Sequence, residues 1–171
     1  MHGYVQIYTG DGKGKTTAAL GVALRAAGAG LKVYVAQFMK KGHYSEIEAL
    51  KQLEPQVRAE QFGSGRFVRG TPEAEDLTLA RRGFEAVHAA LISGAYDLVI
   101  ADEAVVAVAG GLLDESDLLD LIARRPPAVE LILTGRGATQ ALMAAADLVT
   151  EMRAFKHYFE NGVTARKGIE Y

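Results

Sequence analysis

The run Thr9-Gly10-Asp11-Gly12-Lys13-Gly14-Lys15-Thr16-Thr17 has the residue types and spacing to bind a phosphate chain. Alternating glycines let the backbone curl until several N–H groups face one anion. A helix starting after Gly14 would add its unpaired N–H groups and the positive end of its dipole. Lys15 would reach phosphate oxygens, and the Thr16 hydroxyl would hold Mg²⁺. One position departs from the common G-x-x-x-x-G-K-[ST] spacing. Thr9 stands where the first glycine belongs and Gly10 follows it, so the loop is one residue shorter between its glycines. A glycine-rich turn with a stray lysine would not account for the apolar run before this stretch and the helix-like run after it.

A second set of candidates is the pair Asp102-Glu103, which ends an apolar run over residues 96–101. An acidic pair at the carboxyl end of a core strand holds Mg²⁺, directly or through water, in phosphate-loop NTPases. Side chains alternate along a strand, so one of the two faces the metal and the other meets backbone or solvent. Loops at the carboxyl ends of parallel strands line the ligand crevice of an open α/β sheet. That places Gln37, Lys40 and Lys41 at the nucleotide or substrate, and Arg136, in Thr134-Gly135-Arg136-Gly137, at a phosphate or a base. Residues 63–70 mix glycine, arginine and Phe67, as a substrate lid or a flexible connection would.

The chain has no cysteine and four histidines. His43 and His157 fall in candidate crevice loops without an evident carboxylate partner, and no serine has a G-x-S-x-G setting. Such a site suits a reaction that needs positioning and charge neutralisation. Phosphoryl transfer is one. Displacement at the ribose carbon of the nucleotide, with the whole triphosphate leaving, is another. There the incoming group brings its own nucleophile, and Lys15 with Mg²⁺ stabilises the departing charge.

These residues need a parallel sheet to hold them. Strands are expected at residues 4–8, 32–38, 57–62, 96–101, 129–133 and 147–151. Helices are expected at 16–27, 45–53, 72–93, 115–124 and 138–146. Leu20, Leu24 and Ala27 would form the buried side of the first helix. Leu77, Ala80, Phe84, Val87 and Leu91 would do so for the third. Asp114 or Ser116 would cap the 115–124 helix. Residues 104–113 would pack under a sheet edge or at an interface, and the tail 152–171 would form two short strands around a turn. Alternation of strands and helices predicts an α/β, P-loop NTPase (RecA-like) fold, its mostly parallel sheet covered by helices on both faces, in a single domain over residues 1–171. Net charge is −2 and hydrophobic residues make up 49%, so composition points to no nucleic acid and no membrane partner. The run 104–113 is too short to span a bilayer. No signal peptide precedes the first strand, and a reducing cytoplasmic setting fits the absence of cysteine.

Taken together, residues 8–19 (YTGDGKGKTTAA), 35–40 (VAQFMK), 99–103 (VIADE), 133–137 (LTGRG), 146–152 (ADLVTEM) and 156–171 (KHYFENGVTARKGIEY) resemble the corrinoid adenosyltransferases of cobalamin biosynthesis, nearly end to end. The resemblance implies transfer of the 5′-deoxyadenosyl group of ATP to the Co(I) of cob(I)alamin or cob(I)yrinic acid a,c-diamide, with release of triphosphate. By position it puts the phosphates on residues Gly10 to Thr16, Mg²⁺ on Thr16 and Glu103 with Asp102 beside them, and Arg136 at the nucleotide. It also implies ATP bound in reverse orientation, a homodimer and a flavoprotein reductant. Two departures are visible. An N-terminal extension that covers the site in some members is missing ahead of the first strand. A Phe-Thr-Trp stretch is replaced by Arg66-Phe67-Val68, leaving Phe67 as the candidate to displace the lower ligand of cobalt. A P-loop ATPase or small-molecule kinase, and a non-enzymatic nucleotide-binding or corrinoid-carrier module, are the alternatives.

Overall fold

A computed structural model describes residues 2–65 and 70–171. Six strands form one sheet in the order β3-β2-β4-β5-β1-β6. They are β1 (Val5–Thr9), β2 (Val33–Phe38), β3 (Val57–Phe62), β4 (Leu98–Asp102), β5 (Glu130–Thr134) and β6 (Leu148–Glu151). Every pairing is parallel. The helices between them are α1 (Lys15–Gly28), α2 (Ser45–Lys51), α3 (Ala74–Ile92), α4 (Ala104–Ala109), α5 (Glu115–Arg124) and α6 (Gln140–Ala145).

The strands are near-continuous apolar runs because both faces of the sheet are covered. Successive side chains then sort by the two-residue period. Tyr34, Ala36, Phe38, Val99 and Ala101 pack with α3, α4, α5 and α6, whereas Val33, Val35, Leu98 and Ile100 pack with α1 and α2. On α1 the expected buried side is corrected. Ala19, Ala23 and Ala26 face the sheet, and Leu24 is 60% exposed. Alanines at this helical spacing bring the helix close to the sheet; Leu20 and Ala27 pack partly against the same cluster, and Leu24 is turned outward. Leu77 of α3 is likewise exposed, while Ala80, Val87 and Leu91 are buried.

Two further expectations change. Residues 104–109 are not an edge or interface segment but a buried helix, α4, which follows β4 after Glu103 turns the chain in the left-handed region at φ 62°. The tail holds no strand among its described residues. It forms a single 3₁₀ turn at Tyr158–Asn161, tied by side-chain bonds rather than by a ladder. The cap of α5 is Asp114, in a reciprocal box with Asp117.

β5 leaves the sheet at Gly135, whose φ is 140° and whose Cβ, if present, would lie 2.6 Å from the Val106 nitrogen. Both the backbone region and the approach to α4 require glycine there. Gly135→Ala should therefore destabilise the fold by about 2–4 kcal/mol through strain and overpacking. A denaturant titration with unchanged slope and a loss below ~1 kcal/mol would contradict this packing.

Candidate active site

The carboxyl ends of β1, β2, β4 and β5 meet at Asp102. It is the last residue of β4 and its side chain is fully buried. Its Oδ1 accepts hydrogen bonds from the hydroxyls of Thr16 and Thr134, both at 2.7 Å. Its Oδ2 accepts from Lys40 Nζ at 3.0 Å and Gln37 Nε2 at 3.2 Å. Thr134 also accepts the Glu103 N–H at 2.9 Å, fixing the turn into α4. A buried carboxylate with a donor on every lone-pair direction is held in one orientation.

The phosphate loop runs from β1 into α1. Gly10 and Gly14 lie at φ 94° and 115°. A Cβ on Gly10 or Gly12 would come within 2.5 or 2.7 Å of the Met152 carbonyl, and the Gly12 N–H donates to that carbonyl at 2.7 Å. The strand end after β6 thus backs the loop. Lys15 lies across it, donating to the carbonyls of Gly10 and Gly12 at 2.8 and 2.6 Å. Burial, then the nearby Arg136 charge, lower the pKa of Lys15, against the pull of Glu103, Asp11 and Asp102. A desolvated ammonium with only carbonyl acceptors has much to gain from an anion.

Glu103 projects beside this centre. Burial, then the adjacent Asp102 charge, raise its pKa, opposed by Lys40, Lys15 and Arg136. A largely desolvated acid beside a buried aspartate and near the Thr16 hydroxyl offers hard oxygen donors to a divalent cation. Among the described residues no group of three or more His, Asp or Glu could hold a metal alone. Such a set suits Mg²⁺, which binds through one or two carboxylates and takes its remaining ligands from phosphates and water.

The other expected residues divide. Arg136 donates to the Asp11 carbonyl at 3.3 Å, and both side chains are exposed at the mouth of the loop. The Thr9 hydroxyl accepts from the Ala138 N–H at 3.3 Å, joining the loops after β1 and β5. Thr17 is exposed on α1. Gln37, expected at the nucleotide or the corrinoid substrate, lies beneath the site, fully buried between Asp102, Glu46 and Gln61. Lys40, also expected there, points at Asp102 and Thr16. Phe67 lies outside the described residues. Thr134, Glu46 and the last residues of the tail are partners that a reading of the sequence missed. Only the strand order brings Thr134 beside Asp102.

The family model described as ATP:corrinoid adenosyltransferase BtuR/CobO/CobP matches residues 1–171. The chain belongs to that family. Among curated members, the corrinoid adenosyltransferase of Escherichia coli K12 is 38% identical over 170 residues, covering 99% of this chain and 86% of that protein. The corrinoid adenosyltransferase CobA of Salmonella typhimurium is 36% identical, with 99% and 86% covered. The corrinoid adenosyltransferase of Pseudomonas aeruginosa is 34% identical, with 99% and 84% covered.

In this member of the adenosyltransferase family the tail closes back on the phosphate loop. Lys13 donates to the Ile169 carbonyl at 2.8 Å and pairs with Glu170 at 3.0 Å. Glu170 also accepts from the Tyr158 hydroxyl, from Arg166 Nε at 3.2 Å and from the Arg166 N–H at 2.8 Å. The Ser45 hydroxyl, at the start of α2, donates to Tyr171 at 3.0 Å. Hydrogen bonds from Arg166 first, then Tyr158, with Lys13 adding to them, hold the Glu170 carboxyl far below its ordinary 4.5. A depressed folded pKa makes this contribution complete above pH 4.5 and removes it only as pH falls through the lower folded value. Protection of the Arg166 amide from hydrogen exchange should therefore be the same at pH 7 and pH 5, after correction for the intrinsic rate. Glu170→Gln should raise that exchange several-fold at pH 7, and an unchanged rate would remove Glu170 as the latch.

Proposed function

We propose that this protein transfers the 5′-deoxyadenosyl group of ATP to the Co(I) of a reduced corrinoid, releasing triphosphate, in adenosylcobalamin biosynthesis. The observation that carries this reading is the match of the whole chain, residues 1–171, to the ATP:corrinoid adenosyltransferase family. The geometry agrees with it in kind. It provides cations and backbone N–H groups for a phosphate chain, and the chain has no cysteine to serve as a nucleophile.

In this reading the loop Gly10-Asp11-Gly12-Lys13-Gly14-Lys15-Thr16 cradles the triphosphate. Lys15 leaves the carbonyls of Gly10 and Gly12 for phosphate oxygens. Arg136, beside Asp11 at the loop mouth, meets the nucleotide from the β5 side. Thr16, Asp102 and Glu103 would hold Mg²⁺, which when bound neutralises charge on the phosphates. The electron pair of Co(I) forms the Co–C bond at the ribose C5′ as the C5′–O bond breaks, and triphosphate leaves with that bond's electrons. The protein acts by alignment and by stabilising the departing charge.

We further place the protein in the cytoplasm, as one domain working with a flavoprotein that keeps cobalt reduced. No helix among the described residues is long and apolar enough to cross a membrane. A homodimer is supported by the exposed edge strand β6, with Leu148 and Val149, and by Phe155 and Phe159, which are 91% and 72% exposed.

An anaerobic assay with Mg-ATP, a cobalamin and a strong chemical reductant tests the reaction. The expected products are a light-sensitive adenosylated corrinoid and inorganic triphosphate. Formation of ADP with no change at cobalt would move the protein to an ATPase or kinase reading. Lys15→Met should lower kcat/KM by about 10²–10³-fold, the range for losing one preorganised donor to a developing anion.

A further inference from the structure

The ammonium of Lys40 lies between two of the oxygens proposed above as magnesium ligands. It donates to Asp102 Oδ2 at 3.0 Å and sits 3.5 Å from Thr16 Oγ1. Its side chain is 17% exposed. Its ion pair with Asp102 sets the positive charge of the cluster directly against that carboxylate. Asp102 already accepts from Thr16, Thr134 and Gln37. A metal could use Asp102 Oδ2 only after a donor has withdrawn from it.

Among those donors Lys40 is the one with somewhere to go. Thr16 and Thr134 are short side chains fixed at the start of α1 and in β5, and Gln37, which also reaches Glu46 at 3.4 Å, is held from its other side by Gln61 at 3.1 Å. Lys40 has a long flexible stem, and a second carboxylate, Glu46, already stands 3.8 Å from its nitrogen, with the Tyr44 ring face at 5.4 Å. The backbone beneath the stem is fixed. Met39 sits at φ 60°, and Gly63 packs so closely that a Cβ there would lie 2.5 Å from the backbone nitrogen of Lys40. A rigid base, a mobile ammonium and two carboxylates in reach make a two-position arrangement.

We infer that Lys40 is a tethered counter-cation of the magnesium position. Without nucleotide it neutralises Asp102 and keeps free divalent ions out. When Mg²⁺ arrives with the triphosphate, Lys40 withdraws to Glu46 and the ring of Tyr44. The benefit is order of binding, because the buried carboxylate is never left uncompensated and the metal enters only together with its phosphate ligands. This rests on the reading of Thr16 and Asp102 as magnesium ligands, and it assigns Lys40 a positioning function distinct from contact with the corrinoid.

The test titrates Mg²⁺ against ATP binding in the absence of corrinoid, where no turnover occurs, and measures Tm with Mg²⁺ alone. Wild-type protein should bind ATP in a Mg²⁺-dependent way and show no Tm shift from Mg²⁺ by itself. Lys40→Met should lower the Mg²⁺ concentration for half-maximal ATP binding by about tenfold and acquire a Tm shift with Mg²⁺ alone. Glu46→Gln, which weakens the second position and leaves Asp102 paired, should raise the Mg²⁺ requirement and serves also if Lys40→Met does not fold. A static ion pair predicts lower stability in Lys40→Met with an unchanged Mg²⁺ requirement in both variants, and that result would overturn the inference while leaving the magnesium site intact. ATP binding by wild type that is indifferent to Mg²⁺ would overturn both.

Discussion

A carboxylate fully out of water must be compensated, and Asp102 is compensated by residues from several elements at once. Thr16 comes from the start of α1, Gln37 from β2, Lys40 from the loop after it and Thr134 from the end of β5. These bonds require β2 and β5 to flank β4 and the phosphate loop to end above it. The desolvation cost of the buried charge is large enough to make that arrangement specific. The Thr134 hydroxyl also takes the Glu103 N–H, so the same cluster starts α4. Phosphate loop, acidic pair and β5 loop are thereby fixed relative to one another before any ligand binds.

A second constraint is close approach. The glycines of the phosphate loop allow the curl, and Gly10 and Gly12 also let the Met152 carbonyl press against the loop from behind. From that point the tail turns back over the loop and ends at Lys13 and Ser45. Glu170 gathers Lys13, Tyr158 and Arg166 on one carboxylate. The loop is therefore backed by one part of the final segment and overlaid by another.

Much of this was legible in the residue pattern. The Gly-Lys-Thr run, the apolar strands and the Asp-Glu pair at the end of β4 led to the parallel sheet and to the loop proposed to hold phosphate. Strand ends fell within a residue or two, because continuous apolar runs bounded by glycine, proline and charge are unambiguous in a sheet covered on both faces. The buried side of α1 was misread in part, since Leu20 and Ala27 pack partly against the core but Leu24 does not. Leucine looks more apolar than alanine, yet the space between helix and sheet favoured the alanine side. The buried α4 was hidden because an all-apolar segment of six residues has no periodicity to read. The tail was expected as two short strands around a turn, but polar bonds to distant residues decided its course.

The sequence by itself determined the chemistry on offer, a glycine-lysine-threonine anion loop, an acidic pair and no thiol nucleophile, because those depend on residue type and local spacing. Its family membership followed from the same residues. Only the tertiary structure decided which residues share an atom. Thr134 and Thr16 meet on one oxygen of Asp102 while Lys40 and Gln37 meet on the other, and Glu170 reaches Lys13 across 157 positions of chain. Those contacts are set by strand order and by the return of the tail, which depend on packing between distant segments and leave no mark on local spacing.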